Sequence, residues 1–270
     1  MKAKKILYIT QEIVPYVADS DMSLTGRQLP QEIQSAGREI RTFMPRWGII
    51  NERRNQLHEV IRLSGLNIAI DETDHPLIIK VASIQAARMQ VYFIDNDEYF
   101  LKRKMMCDAD GNEYADNEER AVFYARGVLE TVKKLRWTPD VIHCHGWISS
   151  VIPFFIKTAY ADDAPFMDAK VVFSAYGNSP QRTPADNLAA SLEFRNAKAS
   201  LLADKGISLT DPDVLSKLAI AYSDGYVEAS EGVPSGIRAE ADKQGIPQLI
   251  LPGLENIAEK YGDFYEKVCE

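Results

Sequence analysis

The chain has 270 residues, 46% apolar and 26% charged, and its 31 basic against 39 acidic side chains give a formal net charge of −8. This is the balance of a globular protein with an ample core, and its scattered basic residues do not make the clustered positive face of a nucleic-acid binder. No run of ~18 apolar residues could cross a bilayer, and three cysteines without regular spacing, Cys107, Cys144 and Cys269, suit a reducing, cytoplasmic setting better than a disulfide framework.

The four apolar residues from Ile6 to Ile9 fall short of the ~7–15 that a secretory leader needs, so the stretch reads as the first strand, Lys5 to Thr10. A helix follows over roughly Gly26 to Ala36, closed by Gly37 as a left-handed cap, and then a strand over Glu39 to Met44. From Leu57 to Val81 short apolar runs alternate with turn signals at Ser64-Gly65 and Asp71 to Pro76, which predicts a small antiparallel insert. Gln90 to Ile94 resumes the core. The polar loop after it turns at Asp108 to Asn112; this resembles part of a calcium loop, but Gly111 stands fourth where the sharp turn needs glycine sixth. Asp116 reads as an N-cap with Glu119 as its capping-box partner, opening a helix whose stripe is Ala121, Tyr124, Ala125, Val128, Val132 and Leu135.

The segment Val141-Ile142-His143-Cys144-His145-Gly146-Trp147 then reads as a buried parallel strand ending in two histidines. Polar groups just past the carboxyl end of such a strand face the crevice where open α/β sheets bind ligands. Alternation puts His143 and His145 on one face and Cys144 on the other, and no second His or Cys cluster completes a zinc site, so no metal or cofactor is expected. Two readings stand side by side: a pair of satisfied core histidines, or a site. Further helices are expected over Trp147 to Thr158, Thr183 to about Ala203, Val214 to Ala221, Gly236 to Gln244 and Leu254 to Val268, with strands over Lys170 to Ala175, Gly225 to Ala229 and Gln248 to Leu251. Strands alternating with helices make the fold α/β: a single Rossmann-like doubly wound domain over 1–270, mostly parallel, with a small antiparallel insert.

Several of these segments resemble the N-terminal half of bacterial glycogen synthases and plant starch synthases. The likeness runs through Ile6 to Glu12, Pro15-Tyr16, Leu29-Pro30, Met44 to Gly48, Val91 to Asn96, Glu98 to Phe100, Asp108 to Gly111, Tyr114 to Asn117, Glu119-Arg120 and, most specifically, Pro139 to His145; Ala221 to Asp224 is a weaker echo. The resemblance implies one half of a GT-B glycosyltransferase. Members of that family are retaining enzymes that move glucose from a nucleotide-glucose to an α-1,4-glucan without a metal. It implies that His145 takes the place of the family histidine beside the transferred glucosyl unit, and that Trp147 helps wall the sugar site. Asp116, Asn117 and Arg120 would support that wall, or simply cap and pair. His143, Tyr176 and Asn178 are carried as further substrate-binding candidates.

The chain departs from the family at telling places. The family's Lys-Thr-Gly-Gly-Leu-Gly-Asp phosphate loop is here Ala18, Asp19, Ser20, Asp21, Met22, Ser23 and Leu24, which replaces cationic and glycine character with two carboxylates. The family's His-Asp-Trp is His145-Gly146-Trp147, and its later His-Asn pair is replaced within Ala175 to Asn178. The nucleotide-sugar domain is not read in these 270 residues. The expected function is therefore a glycogen/starch synthase-like domain, inactive or incomplete alone. The rival expectations are a non-catalytic glucan-binding or scaffold module, and a recruited small-molecule enzyme with His143 or His145 as base. An α-glucan or small sugar is the expected ligand, and a protein partner or self-association would cover an open half-cleft.

Overall fold

The computed structural model describes residues 3–270. In chain order, β1 (Lys5–Thr10), α1 (Asp21–Ser35) and β2 (Glu39–Pro45) precede an insert of β3 (His58–Glu59), β4 (Leu66–Ile70) and β5 (Thr73–Ile84). Then come β6 (Met89–Asp95), α2 (Asn117–Leu135), β7 (Val141–His145), α3 (Ile152–Lys157) and β8 (Lys170–Ala175). The short helices α4 (Leu188–Leu192) and α5 (Ser200–Asp204) lead to α6 (Val214–Ala221), β9 (Gly225–Glu228), α7 (Ser235–Gln244), β10 (Gln248–Ile250) and α8 (Ile257–Val268).

The sheet runs β10-β9-β8-β7-β1-β2-β6-β5-β3, with β4 paired to β5. Its strands are parallel from β10 to β6, and the insert strands join antiparallel, as the change of pattern after Leu57 implies. Period-two alternation gives each central strand two apolar faces, which is why helices cover both. Ile6, Tyr8, Val141 and Val172 pack with Leu29 and Ile33 of α1 and Ile257, Tyr261 and Phe264 of α8. Leu7, Ile9, Ile142 and Phe173 pack on the other face with Val128 and Val132 of α2, Phe155 of α3 and Leu218 of α6. Among the described residues no helix is long and apolar enough to cross a membrane.

Four expectations are corrected. Helix α1 begins at Asp21, five residues before Gly26, because Ser20 accepts from the Ser23 backbone N–H while the Ser23 hydroxyl accepts from the Ser20 N–H, a capping box built on serine. Asp116 gives no side-chain cap to α2: its carboxylate pairs with Arg103, and Glu119 accepts from Tyr99 and Asn187 instead. The stretch after Trp147 splits into a 3-10 turn, Trp147–Ser149, and α3. There the Ser149 and Ser150 hydroxyls bond the Gly146 and Trp147 carbonyls, competing with a continuous helix. The helix expected from Thr183 to Ala203 is only α4 and α5, since Glu193 turns out of the helix and its carboxylate takes up the Ala199 N–H and the Lys198 ammonium.

Candidate functional site

Parallel register sets Tyr8 beside His143 and Thr10 beside His145, with Ser174 flanking His145 on β8. The two imidazoles share one face, their centroids 3.8 Å apart, while Cys144 joins the opposite core. Both histidines are buried, at 0% and 1% exposure. His143 is held from both sides, Nδ1 at 2.7 Å from the Tyr265 hydroxyl of α8 and Nε2 at 2.7 Å from the Ser174 hydroxyl, and Tyr265 in turn donates to Tyr8. His145 Nδ1 lies 3.1 Å from the Tyr176 hydroxyl, just past β8. Burial drives the His143 pKa well below its ordinary value, helped by the neighbouring His145, and lowers that of His145 to about 3. Both rings are neutral at pH 7.

Gly146 follows with φ 78° and ψ 172°, a region open in practice only to glycine. A Cβ there would lie 2.8 Å from the Met22 methyl and 3.0 Å from Gln11 Oε1, so the end of β7 is packed directly under the first turn of α1. Trp147 is also buried, near Trp47 and Arg120, with its indole N–H unpaired. Among the described residues Arg120 has no carboxylate partner in hydrogen-bond reach. It donates to the carbonyls of Tyr99, Lys104 and Met105 and to Asn117 Oδ1, and its guanidinium faces the rings of Trp47 and Tyr114. Desolvation lowers its pKa to about 10, which still leaves it charged. Arg120 and Asn117 thus tie the loop after β6 to α2 and back the wall behind Trp147, while Asp116 serves that loop through Arg103.

The open space lies above these residues. One cleft, of about 280 Å³, is lined by Glu12, Ser20, Asp21, Met22, Tyr176, Gly177, Asn178 and the Ser230 to Gly232 turn. A second, of about 310 Å³, shares Asp21, Ser230 and Glu231 with it and adds Thr25, Tyr261 and the Leu251 to Leu254 loop. The carboxyl ends of β1, β8, β9 and β10 supply these loops, as expected for an open parallel sheet. Of the residues singled out from the sequence, Ser20, Asp21, Tyr176 and Asn178 line the cleft. His143, His145 and Trp147 lie beneath its floor, Ser23 is buried in the capping box, and Ala18 and Asp19 are exposed on the approach to α1.

Glu12, Thr25, Ser230, Glu231 and Tyr261 were not singled out as site residues. Glu12 is buried and accepts from the Ser20 hydroxyl at 2.6 Å and from Gln11 at 2.9 Å, and Gly26 lets α1 approach because a Cβ there would strike the Glu12 carbonyl at 2.3 Å. Gly177 plays the same part for the turn after β9, where a Cβ would meet the Glu231 carbonyl at 2.6 Å. The rule that ligands sit beyond strand carboxyl ends would have pointed to Ser230 and Glu231 once β9 was recognised. Nothing in the sequence marks Tyr261 beyond its place on the inner stripe of α8.

An open, mostly parallel sheet with helices on both faces and its crevice at the carboxyl ends of β1, β8, β9 and β10 defines this as a Rossmann-like domain of the kind that forms one half of GT-B glycosyltransferases. The family model for the starch synthase catalytic domain matches residues 5–250, and the chain belongs to that family. It is 37% identical over 173 residues to the glycogen synthase of Chlorobium phaeobacteroides, covering 64% of this chain and 35% of that protein. It is 35% identical over 208 residues to the glycogen synthase of Chlorobium chlorochromatii, covering 73% and 42%. The catalytic domain of starch synthase IV from Arabidopsis thaliana, solved bound to ADP and acarbose, shares the fold with a TM-score of 0.69 at 16% identity, over 92% of this chain and 51% of that one. The match thus covers 35% and 42% of the length of these two glycogen synthases.

Proposed function

We propose that this domain is the sugar-facing half of a glycogen/starch-synthase cleft, binding an α-glucan or small sugar without holding a nucleotide diphosphate by its own residues. The observation that carries this is the lining of the cleft. It contains no Lys or Arg, and Asp21 occupies the first turn of α1, where a helix N-terminus would otherwise attract a phosphate. A diphosphate placed there would meet Asp21 and Glu12 with no cation between them, and like charges repel more as water is excluded. Glucosyl transfer from a nucleotide sugar depends on positive charge preorganised at the leaving oxygens, so a partner that brings such charge would be required for turnover.

The state of His145 argues for a neutral support under the cleft floor and against general-base chemistry. A base works best with a pKa near the working pH, whereas burial holds this ring neutral down to about pH 3. Tyr176 is its link to the cleft, since the tyrosine both lines the opening and bonds the imidazole.

Calorimetric titration with maltotriose and with ADP tests the reading. Binding of the sugar, with no heat from ADP, is the expected result; ADP binding at micromolar concentration would overturn it. A loop restored to the family pattern, Ala18→Lys with Asp19→Thr, Ser20→Gly and Asp21→Gly, is expected to gain ADP affinity.

A further inference from the structure

A separate cavity of about 350 Å³ opens on the flank of the fold, where α2, β4 and α4 pack together. It is lined by Ala69, Asp71, Arg126, Ala190, Glu193 and Phe194 and shares no residue with the two clefts. Its volume lies within the ~300–1,000 Å³ of small-ligand pockets.

Arg126 is the feature that sets this cavity apart. It stands midway along α2 and is only 7% exposed, because the insert strand β4 and the start of the chain after α4 close around it. Its Nη1 donates to the Ala69 carbonyl, its guanidinium lies 3.7 Å from the centre of the Phe194 ring, and its Nε is buried without an acceptor. Among the described residues it makes no ion pair. The acidic groups around it are engaged elsewhere: Glu193 holds the Lys198 ammonium and the Ala199 N–H, Asp163 pairs with Lys133 and Arg195, and Glu130 accepts from Tyr160, the hydroxyl beside Arg126. Burial lowers the Arg126 pKa, as it does for a cation desolvated without a counter-ion in contact.

A buried guanidinium with an idle donor, opening on a cavity, calls for an acceptor that carries negative charge, and a planar carboxylate matches its geometry best. The rest of the lining narrows the class. Ala69, Ala190 and Phe194 give the cavity apolar walls, which suit a ligand with a small apolar body. Asp71, exposed at the rim and without a partner among the described residues, repels a second negative charge. We infer that this cavity is a binding site for a small organic monocarboxylate, held by Arg126 and independent of the sugar-facing cleft.

Titration of the isotope-labelled full chain at neutral pH and low salt, read from the Arg126 Nε–H and the Ala69, Ala190 and Phe194 amide resonances, tests it. Benzoate is the probe, with benzamide, isophthalate and inorganic phosphate beside it. Benzoate should move these resonances and bind about tenfold more tightly than benzamide, its uncharged counterpart. Isophthalate, with a second charge to place near Asp71, should bind more weakly than benzoate, and so should phosphate, which has no apolar body. Asp71→Asn should tighten benzoate about two- to threefold, an effect that salt erodes. Asparagine tolerates the left-handed backbone at this position, φ 51°, so the turn is kept. Arg126→Gln should abolish binding, with melting temperature confirming the fold; if that variant does not fold, the Asp71→Asn result decides. Equal affinity for benzoate and benzamide, resonance shifts confined to other residues, or an unchanged benzoate affinity in Asp71→Asn overturns the site. Isophthalate as tight as benzoate overturns the preference for a single charge, and phosphate as tight overturns the need for an apolar body.

Discussion

Gly146 is where the backbone, the packing and the candidate site meet, and Gly146→Ala exposes how the site is closed. Two costs add. The first is torsional: φ 78° with ψ 172° is essentially a glycine conformation, and holding alanine there costs about 1–3 kcal/mol. The second is steric: the new methyl would lie 2.8 Å from the Met22 methyl, 3.1 Å from its sulfur and 3.0 Å from Gln11 Oε1. Overpacking of this kind costs about 1–3 kcal/mol, and the low end applies because the Met22 tip can swing away. The sum is about 2–4 kcal/mol, or roughly 4–8 °C in melting temperature for a chain of this size. Urea denaturation of the parent, Gly146→Ala, Met22→Ala and the double variant separates the two costs. The penalty of Gly146→Ala should be about 1 kcal/mol smaller when Met22 is already alanine, because the contact is gone while the torsional cost persists. A Gly146→Ala protein within about 0.5 kcal/mol of the parent would refute both the strained turn and the close packing of Met22 over the end of β7.

The buried histidines predict loss of stability in acid. Their folded pKa values lie below the unfolded value, so the unfolded chain binds more protons, and stability is full above about pH 6.5 and falls as pH drops toward about 3 for His145. Each histidine contributes a slope of up to ~1.4 kcal/mol per pH unit, while Asp95 and Glu118, raised by burial, act in the opposite sense. Urea midpoints between neutral and mildly acid pH, with His143→Gln flattening the profile, check this; an unchanged profile in that variant would refute it. Arg120→Met should cost about 3–5 kcal/mol, because the carbonyls of Tyr99, Lys104 and Met105 lose their common donor, and should open the loop after β6 to proteolysis before global unfolding. Ser20→Ala removes the α1 cap and a partner of Glu12, with an expected loss of about 1–2 kcal/mol in thermal unfolding.

Much of the architecture is legible in the residue order alone. Apolar strands alternating with helical stripes fix the α/β class, the change of period after Leu57 marks the antiparallel insert, and strict alternation along Val141 to His145 puts both histidines on one face. These are local features, written in periods of two and 3.6 residues, and they survive whatever the distant chain does. Capping is less legible where the partner is unusual: a serine at the third helical position does the work a glutamate ordinarily signals, so α1 starts earlier than its apolar stripe suggests.

The site itself was decided in three dimensions. Glu12, Asp21, Tyr176, Glu231 and Tyr261 lie far apart along the chain, and only the strand order β10-β9-β8-β7-β1 brings their loops to one crevice. The same packing places His143, His145 and Trp147 under the floor, because Met22 and Tyr176 settle over the end of β7 and desolvate it. Burial depends on every neighbour at once, and so the protonation state and accessibility of those side chains belong to the tertiary structure and not to any stretch of sequence.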